Sequence, residues 1–310
     1  MTTHPSGNPL AESLAVGPVV LDGGLATELE RQGHDLGGEL WSARLLADDP
    51  GAIVAAHQEF LDAGAQVLTS ASYQASFEGF AAAGVDGAGT RLLLRRSVEL
   101  ARSVAESADR PIWVAASVGP YGAALADGAE YTGDYGPMLS VEALRRFHRE
   151  RLEVLASADP DVLALETIPC LAEAEALVEE VAAVGLPAWL SLTTVTKAEG
   201  HVLTRRGEAA EQAFALARDC DPIIAVGVNC TDPSGVPAAV AIAAVASGKP
   251  VVVYPNSGES WDGQARSWNG SAHFDPDDVA GWVEAGARLV GGCCRVTPVA
   301  IRRVADVLGR

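Results

Sequence analysis

Three cysteines carry the most specific chemistry in this chain. Cys293 and Cys294 close the last apolar run as Gly291-Gly292-Cys293-Cys294, and Cys230 closes an earlier one as Val228-Asn229-Cys230. Adjacent cysteines do not easily form a disulfide with each other. Both can turn a thiolate toward one ion when a third sulfur arrives from across a fold. The spacing is not that of a zinc finger, whose paired cysteines sit roughly two to four residues apart. Zinc binds thiolates well, and a catalytic site keeps three protein ligands and one replaceable position. Three thiolates on Zn2+ leave a formal charge of about −1, poorly suited to polarising a carbonyl. Such an ion suits holding an incoming thiol as a nucleophilic thiolate, because coordination removes a proton that a free thiol of pKa about 8.5 keeps at neutral pH. Cys170 and Cys220 read as buried free thiols.

Two carboxylates end other apolar runs, in Asp22-Gly23-Gly24 and Glu166-Thr167. Either fits the α-ammonium of an amino acid, and the Gly23 and Gly24 amides fit its carboxylate. Taken alone, Asp-Gly-Gly is also an ordinary turn, and Glu166 an ordinary helix cap.

These residues need a frame that gathers strand ends. Eight β-rich runs occupy 18–23, 65–71, 111–118, 161–167, 187–194, 223–230, 250–256 and 287–294. Several are nearly continuous in Val, Ile, Leu and Ala, as strands covered on both faces should be. Between them the spacing is helical. In 140–158, Leu144, Phe147, Leu152 and Leu155 share one face, with Arg145, Arg149 and Glu153 elsewhere. Asp232-Pro233, Asp275-Pro276 and Thr297-Pro298 each put a capping oxygen before a proline at a helix start. Eight such units predict an α/β fold, a single (β/α)8 TIM barrel, with an open doubly wound sheet as the alternative. The connection 119–136 is too long for a simple turn and holds Tyr121, Tyr131 and Tyr135, which predicts an ordered lid.

Composition narrows the partners. The net charge of −19, from 22 basic and 41 acidic residues, repels phosphate backbones and anionic lipid, so small-molecule substrates are expected, with no nucleic acid and no membrane. No apolar stretch reaches the ~18–20 residues of a membrane span, and the first nine residues lack a signal-peptide pattern. A cytoplasmic protein with reduced thiols is the expectation, as a monomer or small homo-oligomer.

In order along the chain stand Asp22-Gly23-Gly24, Ser72-Tyr73-Gln74, Ser117-Val118-Gly119-Pro120-Tyr121-Gly122, Leu165-Glu166-Thr167-Ile168-Pro169, Val228-Asn229-Cys230, Tyr254-Pro255-Asn256-Ser257-Gly258-Glu259 and Gly291-Gly292-Cys293-Cys294. The set resembles the homocysteine S-methyltransferases, most closely the branch that uses S-methylmethionine, from about Val19 onward. The resemblance implies a zinc-dependent (β/α)8 barrel that passes a methyl group from S-methylmethionine, or S-adenosylmethionine, to homocysteine, forming methionine. It implies Cys230, Cys293 and Cys294 as Zn2+ ligands. It implies Asp22 and Glu166 at the homocysteine ammonium, and Gly23 and Thr69 near its carboxylate. Trp41 and Tyr73 match aromatic positions near the donor, and Tyr121 begins the tyrosine-rich lid. The corresponding domain reading is a flexible tail over 1–9 and a homocysteine-binding barrel over 10–310.

One stretch departs from the family pattern. Family members often carry a His followed by an acid-glycine turn after strand five, whereas this chain reads His201-Val202-Leu203-Thr204-Arg205-Arg206-Gly207. Because that loop lies on the active face, donor preference is the property it touches. The chain runs only sixteen residues past Cys294, which makes betaine the less expected donor. Other readings are selenocysteine or another thiol as acceptor, and a structural-zinc or redox-sensing barrel. A Schiff-base aldolase needs a strand-end lysine; the two lysines are Lys197 and Lys249, and the former would leave the cysteines unexplained.

Overall fold

The computed structural model describes residues 8–36, 41–136, 140–262 and 267–310. Eight parallel strands form one sheet: β1 Val19–Val20, β2 Val67–Thr69, β3 Trp113–Val118, β4 Val162–Ile168, β5 Ala188–Leu192, β6 Ile223–Asn229, β7 Val251–Tyr254 and β8 Ala287–Val290. Each strand pairs with its neighbours in sequence, β1 pairs with β8, and a bridge between Leu21 and Val67 joins β1 to β2. The result is the predicted (β/α)8 barrel, and all eight strands fall within the predicted runs or within one residue of them.

Alternation decides what fills it. Val19 and Leu21 point inward while Val20 faces the outer helices, as period-two geometry requires. The interior is packed with Val67, Ala115, Val162, Ala164, Trp189, Ala225, Val252, Tyr254 and Leu289. It is a core and not a channel. Trp189 is fully buried there and donates its indole N–H to the Tyr254 hydroxyl at 2.9 Å.

The N-terminal mouth is closed by helix Pro9–Val16. Asn8 caps it, accepting the amides of Leu10 and Ala11, and Pro9 takes the first-turn position where no donor is needed. Leu10 and Leu14, one turn apart, seal the barrel floor. The tail expected over 1–9 therefore gives way to helix at Pro9; residues 1–7 lie outside the described ones.

Outer helices follow the expected periodicity. In Val141–Ala156, Leu144, Phe147, Leu152 and Leu155 are buried. Asp232 and Asp275 cap short 3-10 turns ahead of their helices. Thr297 occupies the cap position of Pro298–Val307 without a side-chain hydrogen bond, so position is kept there and the capping oxygen is unused. No helix among the described residues is long and apolar enough to cross a membrane.

Candidate metal centre and substrate cavity

The C-terminal strand ends converge on a cavity of about 130 Å³, lined among others by Asp22, Thr69, Tyr73, Glu130, Tyr131, Glu166 and the three cysteines. Cys230 follows β6, and Cys293 and Cys294 follow β8. Their sulfurs stand 2.8 Å (Cys230–Cys293), 3.8 Å (Cys230–Cys294) and 4.0 Å (Cys293–Cys294) apart. Tetrahedral zinc with Zn–S bonds of about 2.3 Å would hold sulfurs about 3.8 Å apart. Two of the separations already match, and the third needs to open by about 1 Å. The trio is the one group of metal-ligating side chains of this kind found among the described residues. As thiols they share protons: the Cys293 and Cys294 S–H groups, donating to Cys230, hold it well below the usual thiol range, while both of them are pushed up. A cation that replaces those shared protons meets a donor set of soft thiolates, which fits zinc.

Backbone and amide contacts aim the sulfurs. Cys293 N–H donates to Pro255 O, Cys294 N–H to Asn256 Oδ1, and Cys230 N–H to Tyr254 O. Asn229 grips Thr167 twice, accepting its amide and donating to its hydroxyl, each at 2.7 Å. Thr167, Cys230 and Arg295 all take positive φ (62°, 47° and 64°). Left-handed backbone costs non-glycine residues about 1–3 kcal/mol each and persists where neighbours over-determine it. Gly24 serves the same junction: a Cβ there would stand 2.6 Å from the Cys293 carbonyl.

Asp22 and Glu166 reach the cavity from β1 and β4. Both are buried, and burial pushes each carboxyl up to about 7. Thr69 opposes that shift at Asp22, donating its amide at 2.6 Å and its hydroxyl at 2.9 Å. Ser117 and Tyr254 donate to Glu166. Thr69 lines the cavity as expected of a residue near the substrate, and its amide and hydroxyl are both engaged in orienting Asp22. The Gly24 amide is likewise engaged, with Val296 O at 2.9 Å.

The connection 119–136 contains a short helix, Tyr121–Leu125, and a 3-10 turn, Ala129–Tyr131. Glu173, fully buried on helix Leu171–Val184, anchors it by accepting the Tyr121 amide (2.6 Å) and the Tyr135 hydroxyl (2.7 Å), with His148 Nε2 at 2.9 Å. Arg151 ties the ends of β2 and β3 together, donating to the carbonyls of Ser72, Tyr73 and Gly119. The short helix and the turn touch where Gly122 would bring a Cβ within 2.4 Å of Glu130 N. This folding turns Glu130 and Tyr131 into the cavity, whereas Tyr121 faces away from it. The Tyr121 ring packs edge-on against Phe147 and Tyr135. The tyrosine that lines the cavity from this loop is Tyr131, not Tyr121. Of the other aromatic candidates, Tyr73 lines the cavity, and Trp41 begins a 3-10 turn with a side chain outside the described residues.

The arginines of the departing stretch have distinct places. After the hairpin Thr194–Thr196 and Val202–Thr204, Arg205 donates to Thr193 Oγ1 (3.0 Å) and to the Cys230 carbonyl (3.2 Å), and lies over the Tyr131 ring. Its charge helps hold the Cys230 thiol down. Arg206 reaches back to Gly133 O. Glu130 is a site residue that the sequence did not bring forward. Ser117, Tyr131, Arg205 and Tyr254 stood in the motifs, the tyrosine-rich connection and the departing stretch, without an assigned contact in the site; Tyr254 had a signal, as the last residue of strand β7.

Comparison with known proteins agrees with this geometry. A family model described as homocysteine S-methyltransferase matches residues 19–308. Homocysteine S-methyltransferase 2 of Arabidopsis thaliana is 41% identical, the match covering 93% of this chain and 92% of the relative. Selenocysteine Se-methyltransferase of Brassica oleracea var. italica is also 41% identical, over 93% of this chain and 88% of its own. The metallated form of the homocysteine methyltransferase MmuM of Escherichia coli superposes with a TM-score of 0.82 at 40% identity, covering 94% of this chain and 96% of that one. With its barrel, its converging cysteines and these relatives, the chain belongs to the homocysteine S-methyltransferase family.

Proposed function

We propose that the protein transfers a methyl group from S-methylmethionine to the sulfur of homocysteine, with Zn2+ held by Cys230, Cys293 and Cys294. The observation that carries this reading is the convergence of three sulfurs within 4.8 Å of one another at the edge of a cavity that also holds Asp22 and Glu166. Zn2+, when bound there, supplies the positive charge that keeps an acceptor thiol ionised at neutral pH.

The chain's own residues do the rest. Asp22 and Glu166, ionised on meeting a cation, hold the acceptor's α-ammonium. Its carboxylate lies toward the Gly23 amide and the first turn of helix Leu25–Arg31, whose partial positive charge suits an anion. Tyr73 and Tyr131 offer aromatic faces to a sulfonium, an attraction of roughly 0.5–2 kcal/mol depending on desolvation. The new bond joins the acceptor sulfur to the methyl carbon as the donor's sulfur–methyl bond breaks, and the electron pair stays on the departing sulfur. Charge is neutralised in that step, so a dry cavity favours it. No general acid is required, and orientation of the three reacting atoms supplies much of the acceleration.

A donor screen tests the reading. Zinc-loaded protein with homocysteine should form methionine from S-methylmethionine, more slowly from S-adenosylmethionine, and not from betaine. Turnover with none of the three would overturn it. Selenocysteine is the second acceptor to assay, since a relative of equal identity is named for that substrate.

A further inference from the structure

The cavity contains a second anionic corner that the acceptor leaves unused. Glu130 and Gln74 both line it, and they are 4% and 6% exposed. Glu130 Oε2 and Gln74 Oε1 are each buried without a hydrogen-bond partner. The Gln74 amide nitrogen donates to Ala123 O at 3.3 Å, which fixes its oxygen as the free end. Leaving a buried acceptor unpaired is costly, and more so if it is charged. Two unpaired acceptors bordering one cavity call for a ligand that brings N–H donors and positive charge.

Resting on the methyltransferase reading above, we infer that Glu130 and Gln74 form the receptor for the α-ammonium of the methyl donor, separate from the Asp22–Glu166 receptor for the acceptor. The reaction joins two α-amino acids in one cavity, and the cavity has two acidic corners. Tyr73 lines the same cavity and feels a carboxylate of each corner, its hydroxyl pushed up by burial and by the negative groups Glu130, Cys230 and Glu166. Burial likewise lifts the Glu130 carboxyl to about 7, so an arriving ammonium is what favours its ionised form. The geometry also selects among donors. An α-ammonium carries three N–H groups, enough for both acceptors, while a quaternary ammonium carries none and leaves both orphaned.

The test uses zinc-loaded protein without acceptor and measures affinity by calorimetry, so that it does not depend on turnover. The probes are S-methylmethionine and its des-amino analogue, 4-(dimethylsulfonio)butanoate. Glu130→Gln should bind S-methylmethionine roughly 10- to 100-fold more weakly than the wild type, with homocysteine affinity within about twofold and zinc content unchanged. The des-amino analogue should bind weakly to both proteins and to a similar degree. Gln74→Met should weaken S-methylmethionine binding by a smaller factor. Equal S-methylmethionine affinity in wild type and Glu130→Gln overturns the inference, as does an equal loss for both probes, which would tie Glu130 to the sulfonium charge. Absence of S-methylmethionine binding to the wild type also overturns it. Tight, Glu130-dependent binding without methyl transfer would uphold the subsite and overturn the proposed reaction instead.

Discussion

The strand-end side of the cavity and its loop side differ in how their polar groups are satisfied. On the strand side, Asp22 receives two hydrogen bonds from Thr69, Glu166 receives Ser117 and Tyr254, and the cysteine backbones are held by Tyr254, Pro255 and Asn256. On the loop side, the hydrogen bonds lie behind the cavity, at Glu173, and the groups that line it include two bare acceptors. A site built at strand ends inherits the rigidity of the barrel and can be organised before any ligand arrives. A site built on a connection has its backbone fixed from outside, and its functional atoms wait for their partner.

The contrast can be tested from both ends. The largest effect belongs to the sulfurs: Cys230→Ala, Cys293→Ala or Cys294→Ala should lose bound metal and reduce turnover by more than roughly a thousandfold. Metal analysis beside a methionine assay reads both, and full activity in a metal-free Cys293→Ala protein would remove the proposed chemistry. Next comes pH. An ammonium needs Asp22 and Glu166 ionised, yet both carboxyls sit near 7 in the free protein. As pH falls from 8 to 6 they take up protons, so acceptor affinity should fall, by up to about tenfold per unit for each group. Acceptor KM across that range, with zinc content checked at each point, gives the profile; Glu166→Gln should flatten it. A wild-type profile without slope would detach these carboxylates from the ammonium. The smallest effect is expected at Tyr121→Phe, whose ring packs on Phe147 away from the cavity. Donor KM should stay within about twofold, and a large rise would mean the loop presents Tyr121 to the ligand after all.

The sequence made the strand side legible because period and position coincide there. Uninterrupted apolar runs give strands, their last residues share one barrel face, and Cys230, Cys293, Cys294, Asp22 and Glu166 stood at those ends. Ser117 was less visible, since a serine inside an apolar run looks like any small core residue until Glu166 is seen beside it. The loop resisted reading for a different reason. Three tyrosines in 119–136 look alike in sequence, and which one lines the cavity depends on Glu173, a residue of a distant helix that takes the Tyr121 amide and the Tyr135 hydroxyl. Arg205 was noticed only as a departure, and its contacts with the Cys230 carbonyl and the Tyr131 ring come from a hairpin that periodicity does not announce. Thr69 shows a further limit: two donors beside a carboxylate can serve a ligand or serve the carboxylate, and distances alone decide.

Helix Pro9–Val16 has a consequence for traffic. With Leu10 and Leu14 stoppering the floor and Trp189 and Tyr254 filling the bore, the described residues leave no way through the barrel beneath the cavity. Neither reactant can therefore arrive or leave through the bore. In the proposed reaction the methylated acceptor and the spent donor are the same compound, methionine, so a single accumulating species would obstruct either berth.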